Sequence, residues 1–78
     1  MDQVQDYRES FPIEVVIGGH LVVLTVTSVA DFWRVKLDGV LIVDAFLNIS
    51  WYQGSTKQID DVLFERITDA LEEHFAKL

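Results

Sequence analysis

Residues 11–27 read FPIEVVIGGHLVVLTVT, and this stretch decides the fold that the sequence predicts. Apolar residues alternate on both sides of Gly18-Gly19, as they do in strands that bury one face. Two glycines between such runs predict a β-hairpin with a two-residue turn, in which Ile17 faces His20. Pro12 has no amide hydrogen to donate, so it indicates that the first strand lies at the edge of the sheet.

A second hairpin is predicted over residues 32–43. Asp38-Gly39 is a strong signal for a type I′ turn, which requires positive φ angles. A two-residue turn at this position pairs Val35 with Ile42 on the core face of the sheet. The same register places Val43 on the opposite face, away from the core.

The segment 44–54 allows three interpretations. It contains Phe46, Trp51 and Tyr52, which make it too apolar for an ordinary loop. It could extend the fourth strand through a β-bulge, form a short fifth strand, or cross the sheet as an irregular segment.

Over residues 56–78 the apolar residues recur every three to four positions, which predicts an amphipathic helix. Ser55 followed by Gln58 resembles a capping box, so the helix is predicted to begin at residue 55 or 56. Phe64 falls at the edge of the apolar stripe and is expected to be partly exposed. The stripe itself consists of Ile59, Val62, Leu63, Ile67, Ala70, Leu71, His74, Phe75 and Leu78.

These segments together predict an α+β fold, namely a four-stranded antiparallel β-meander of two hairpins with one long C-terminal helix packed on one face. Residues 1–10 are expected to form a flexible N-terminal lead-in, and residues 11–78 a single ββββα domain. The chain has 78 residues and no cysteine, so no disulfide can stabilise it. Stability must come from its 50% apolar composition or from a second subunit.

The charge of the chain limits its partners. Thirteen acidic residues against six basic ones give a net charge of −7. Phosphate groups would be repelled, so direct binding to nucleic acid or to an anionic membrane is not expected, whereas a basic protein partner is favoured. His20 and His74 are isolated, so no metal or other cofactor is predicted. The first ten residues lack the apolar region of a signal peptide, and a cytoplasmic location is expected.

Four acidic residues recur at every fourth position of the predicted helix, and we call them the acidic stripe: Asp61, Glu65, Asp69 and Glu73. Like charges at this spacing repel one another by a few tenths of a kcal/mol per pair. One interpretation is a negative surface that binds a basic protein. The other is a helix face that is charged only because it meets water.

A second candidate surface lies on the sheet. One helix covers only one face of a sheet, so apolar residues on the other face must find another partner or stay exposed. The aromatic pair Trp51 and Tyr52 adds residue types that are common at protein interfaces. The candidate binding residues of the face away from the helix and of the aromatic segment are Val16, Leu21, Val23, Leu41, Val43, Trp51 and Tyr52.

The sequence contains no catalytic, phosphate-binding or nucleotide-binding motif. We therefore predict a small, acidic, non-enzymatic protein-binding module that forms a homodimer through the face of the sheet away from the helix. The alternative is a phage or mobile-element inhibitor of a nucleic-acid enzyme, in which the negatively charged helix faces a basic groove. A small hydrolase is a remote alternative, because one helix on a small sheet leaves little room for a substrate pocket.

Overall fold

Residues 10–77 form a five-stranded antiparallel sheet with one helix, and the α+β class predicted from the sequence is confirmed. The computed structural model describes residues 10–77. Strands follow one another in the sheet in chain order, from β1 at one edge to β5 at the other. The elements are β1 Ser10–Ile17, β2 His20–Val29, β3 Phe32–Leu37, β4 Val40–Leu47, β5 Trp51–Gln53 and α1 Asp61–Ala76.

The sheet therefore has five strands where the sequence predicted four. Of the three interpretations of residues 44–54, the short fifth strand is the one observed: Tyr52 pairs with Phe46 and Trp51 with Leu47. The predicted lead-in over residues 1–10 lies outside the described residues except for Ser10, which belongs to β1.

The first hairpin forms with the predicted register. Ile17 faces His20 across the turn, and Gly18 and Gly19 have φ angles of 59° and 82°. Only glycine adopts such angles without steric cost, which explains the two adjacent glycines. β1 lies at the edge of the sheet, as Pro12 indicated.

The second hairpin turns at Asp38-Gly39 as predicted, but its register changes beyond the turn. Between Val35 and Lys36 the ladder is irregular: Lys36 faces Leu41, whereas Val35 faces Val43 and not Ile42. β4 therefore carries one extra residue, and each side chain beyond it moves to the other face of the sheet. The prediction that Val43 lies on the outer face was wrong, because Val43 is fully buried in the core.

The helix begins at Asp61, later than the predicted start at residue 55 or 56. Its N-cap is Asp60, whose carboxylate accepts hydrogen bonds from the amides of Val62 and Leu63. The Gln53 side chain holds the preceding segment in place, because its Oε1 accepts from the Ile59 amide at 2.7 Å and its Nε2 donates to the Ile59 carbonyl at 2.9 Å. These bonds satisfy the Ile59 backbone without a helix, and Asp60 itself has a ψ of 141°, so the helix starts only after it.

The buried face of α1 also differs in part from the predicted stripe. Phe64 is buried, although it was expected at the edge, and Val62 is exposed, although it was assigned to the stripe. At about 100° per residue, Val62 points about 180° away from Leu71, whereas Phe64 points within about 20° of it. The core consists of Ile13, Val15, Leu24, Val26, Val35, Val43, Ala45, Phe64, Ile67 and Leu71.

Candidate protein-binding surfaces

Three of the predicted sheet residues form an exposed cluster on the β1–β2 hairpin, which we call the hairpin patch: Val16, Leu21 and Val23. Their exposed fractions are 46%, 63% and 54%. Val16 pairs directly with Leu21, and Val23 follows on the same face of β2. Pairing between β2 and β3 begins only at Thr25, so the patch lies on a part of the hairpin that extends beyond β3.

The rest of the predicted apolar face is not continuous with this patch. Leu41 is half-buried and lies opposite Lys36, which pairs with Thr25 on the other side. Val43 lies in the core, as described above. Polar side chains therefore separate the hairpin patch from the far end of the outer face, and the seven predicted residues do not form one surface.

The aromatic segment divides between the two faces of the sheet. Trp51 lies on the helix side, where its ring centroid is 5.4 Å from that of Trp33 and its Nε1 donates to Glu72 at 2.9 Å. Tyr52 lies on the outer face and is half exposed. Its ring stacks on Phe46 at 5.3 Å, and Phe46 stacks on Phe32 at 4.7 Å. The result is a row of three outward rings, of which the sequence analysis assigned only Tyr52 to a surface.

Between the patch and the aromatic row, a buried carboxylate pairs with an arginine. Asp44 is 3% exposed, and its two oxygens accept from Nε and Nη2 of Arg34 at 2.9 and 3.0 Å. These hydrogen bonds, and then the negative charge, raise the pKa of Arg34. The Arg34 guanidinium also lies 5.5 Å from the ring centroid of Phe32. The pair could not be predicted from the sequence, because only the bulge in β4 places Asp44 opposite Arg34.

All four residues of the acidic stripe are exposed, but they do not form a straight row. Side chains four positions apart on a helix are rotated by about 40°, so the stripe turns by about 120° from its first member to its last. Asp61 lies near β5, with its Oδ1 3.5 Å from Nε2 of Gln53. Asp69 and Glu73 instead border β1, where they line a groove together with Glu14 of the sheet.

This groove runs between the open edge of β1 and the flank of α1. Arg66 marks one end, where its Nη1 donates to the Val16 carbonyl at 3.0 Å. His74 marks the other, where its ring stacks on Phe11 with centroids 3.9 Å apart. Ala70 lines the groove between them, and its small side chain leaves the groove open.

Residues 10–77 contain no group of three or more His, Cys, Asp or Glu side chains placed to bind a metal ion. Within the same range, no helix has both the length and the apolar character needed to cross a membrane. Comparison of the chain with protein-family models, curated proteins and solved structures found no match.

Proposed function

We propose that this protein is a non-enzymatic protein-binding module that forms a homodimer through the hairpin patch. The observation that supports this proposal is the exposure of Val16, Leu21 and Val23, three aliphatic side chains in contact positions on a part of the sheet that the helix does not cover. An exposed apolar cluster of this kind is typical of a protein interface.

A second copy is the simplest partner for the patch. In a two-fold symmetric dimer the same residues cover each other, so an apolar surface meets an equally apolar one. Each half-exposed side chain contributes roughly 1 kcal/mol when it is fully buried, or about 6 kcal/mol for the six side chains of both copies. Association itself costs several kcal/mol of translational and rotational freedom, so this gain is an upper limit on the binding free energy and the Kd is tens of micromolar or weaker. The proposed dimer is therefore weak and forms only at micromolar concentrations or above.

Sedimentation equilibrium tests the proposal. The wild type is expected to shift from monomer to dimer as its concentration rises through the micromolar range. Val23→Lys should remain monomeric, because the interface would bury an unpaired charge. Val40→Lys is the matched control, since Val40 is a strand valine of similar exposure, 60%, outside the patch. A wild type that stays monomeric at several times the expected Kd would refute the dimer.

A second proposal, inhibition of a nucleic-acid enzyme by mimicry of phosphate charge, is favoured by the meeting of Glu14 with Asp69 and Glu73 along one groove. Its test is inhibition of a panel of nucleases at low salt. Glu73→Lys should weaken inhibition more than Glu65→Lys, which makes the same charge change outside the groove. Equal effects of the two variants would count against this proposal.

A further inference from the structure

The edge of β1 presents backbone groups that the sheet itself does not use. In a hairpin closed by a two-residue turn, the Ile17–His20 pair exchanges hydrogen bonds, and so does every second pair beyond it. The N–H and C=O groups of the intervening residues therefore point away from β2. These residues are Ser10, Pro12, Glu14 and Val16.

Two observations agree with this assignment. Arg66 reaches the Val16 carbonyl from the helix, which is possible only if that carbonyl points out of the sheet. Pro12 lies in the same row, where its missing N–H costs no ladder bond. Among residues 10–77, Arg66 is the one side chain that hydrogen-bonds to this row, and no group in that range hydrogen-bonds to the Glu14 amide and carbonyl or to the Val16 amide.

The groove beside this edge can accept an extended chain. The helix runs alongside β1 in the opposite direction, because Arg66 meets Val16 and His74 meets Phe11. Asp69 and Glu73 lie between these two contacts, about 6 Å apart along the helix axis. Alternate side chains of an extended strand are separated by about 6.8 Å. Two basic residues on one face of an added strand would therefore match the two carboxylates.

We propose that the β1 edge binds an extended segment of a basic partner protein as a sixth, edge-paired strand. Main-chain hydrogen bonds to Glu14 and Val16 hold the segment, and two alternating Lys or Arg side chains pair with Asp69 and Glu73. The groove has the positively charged Arg66 at one end and Lys77 near the other. The two basic residues of the partner segment are therefore expected at the centre of that segment, away from both. This inference goes beyond the proposed homodimer, which buries the side chains of the hairpin patch, whereas the added strand pairs with the backbone of β1.

A second copy of the chain does not fit this edge. If two β1 strands paired antiparallel about their centres, Glu14 of one copy would lie beside Glu14 of the other, and both grooves would add their carboxylates. Like charges placed together across an interface repel each other and disfavour the pairing. Charge complementarity therefore selects a basic segment from another protein.

Titration with blocked peptides, followed by ¹⁵N–¹H NMR, tests the proposal. The probe is TVKVKVT, in which the two lysines occupy alternate central positions, and the control peptide is TVEVEVT. TVKVKVT is expected to shift the amide signals of Glu14 and Val16 and to slow hydrogen exchange at both, whereas TVEVEVT should leave them unchanged. Failure of TVKVKVT to bind at millimolar concentration, or shifts confined to the hairpin patch, would overturn the proposal.

Two pairs of variants separate backbone pairing from general charge attraction. Glu14→Pro removes the outward N–H and should weaken binding at least about tenfold, the equivalent of one hydrogen bond. Glu14→Thr keeps the N–H and should weaken it less. Glu73→Lys should weaken peptide binding about tenfold. Glu65→Lys, which lies outside the groove, should weaken it less than about threefold.

The ¹⁵N–¹H spectrum of each unbound variant shows whether it is folded. Equal losses of peptide affinity within either pair of variants would overturn edge pairing. Slow hydrogen exchange at the Glu14 amide in the concentrated protein without peptide would overturn it as well. Because the dimer is read from sedimentation of the peptide-free protein, failure of one proposal leaves the other measurable.

Discussion

Arg34→Met should be one of the most destabilising surface substitutions in this protein, because it leaves the buried Asp44 carboxylate without its partner. Removal of one member of a buried ion pair costs about 3–5 kcal/mol. Arg34 is itself 36% exposed, so water can reach the site and a smaller cost than for a fully buried pair, about 2–3 kcal/mol, is appropriate. A domain of this size has a stability of only a few kcal/mol, so the variant should be close to unfolded.

Replacement of Arg34 and replacement of Asp44 should reduce the free energy of unfolding by different amounts. Asp44→Asn leaves Arg34 able to turn its charge into water, so this change should cost less than Arg34→Met. Asp44→Asn introduced into the Arg34→Met protein should restore about 1–2 kcal/mol, because it removes an unpaired buried charge. Lys36→Met is the control: it removes one positive charge from the same face of β3 and should change stability by less than about 0.5 kcal/mol.

Urea denaturation followed by the fluorescence of Trp33 and Trp51 measures these differences. Asp44 raises the pKa of Arg34, so the stabilisation is complete below the unfolded-state pKa of Arg34 and is lost only as the pH rises through the folded-state value. Measurements at neutral pH therefore report it in full. The reasoning would be refuted if Arg34→Met cost no more than Lys36→Met, or if Asp44→Asn cost more than Arg34→Met.

Three further predictions concern the turn, the helix cap and the acidic stripe. Gly39→Val should destabilise the fold by more than ~1 kcal/mol, because Gly39 has a φ of 81°, whereas Gly39→Asn should cost less; equal urea midpoints for Gly39→Val and the wild type would contradict this. Asp60→Ala should lower the free energy of unfolding by about 1 kcal/mol in thermal melts, whereas Ser55→Ala should leave it almost unchanged. The reverse order would indicate that the helix starts at residue 55 or 56. Replacement of the whole acidic stripe with Gln should leave stability equal or higher; a large loss would mean that these carboxylates make structural contacts.

The hairpins show what could be predicted from this sequence. Gly18-Gly19 and Asp38-Gly39 identify their turns through the φ angles they permit, and a two-residue turn determines the register of the residues beside it. Further from the turn the prediction fails at Val35, since no local signal marks the extra residue in β4. A bulge is stabilised by contacts with the rest of the sheet, and here the Arg34–Asp44 pair is one of them.

The helix start shows a different limit. Ser55 and Gln58 have the composition of a capping box, but the Gln53 side chain binds the Ile59 backbone and Asp60 provides the cap. These contacts depend on where β5 ends, which residue types alone do not reveal. The wrong burial predictions for Val62 and Phe64 had a different cause, namely the choice of the centre of the apolar stripe. With Leu71 as the centre, the helical angle of about 100° per residue places Phe64 on the buried face and Val62 on the exposed one.

The candidate surfaces could be predicted only as sets of residues. The sequence indicated exposed apolar side chains and an acidic helix face, and both are present. Their division into a hairpin patch, an aromatic row and a groove beside β1 depends on the bulge and on the position of the helix. Val43 and Trp51 are the two predicted surface residues that the structure places on the helix side of the sheet.

The most direct test of the proposal that the hairpin patch is a binding surface is the concentration dependence of the ¹⁵N–¹H NMR spectrum of the wild type. Between concentrations well below and well above a Kd of tens of micromolar, the amide signals of Val16, Leu21 and Val23 should shift together, while those of the exposed Val40 and Val62 should not. A spectrum independent of concentration would contradict the proposal, as would shifts that follow the helix and leave the hairpin unchanged.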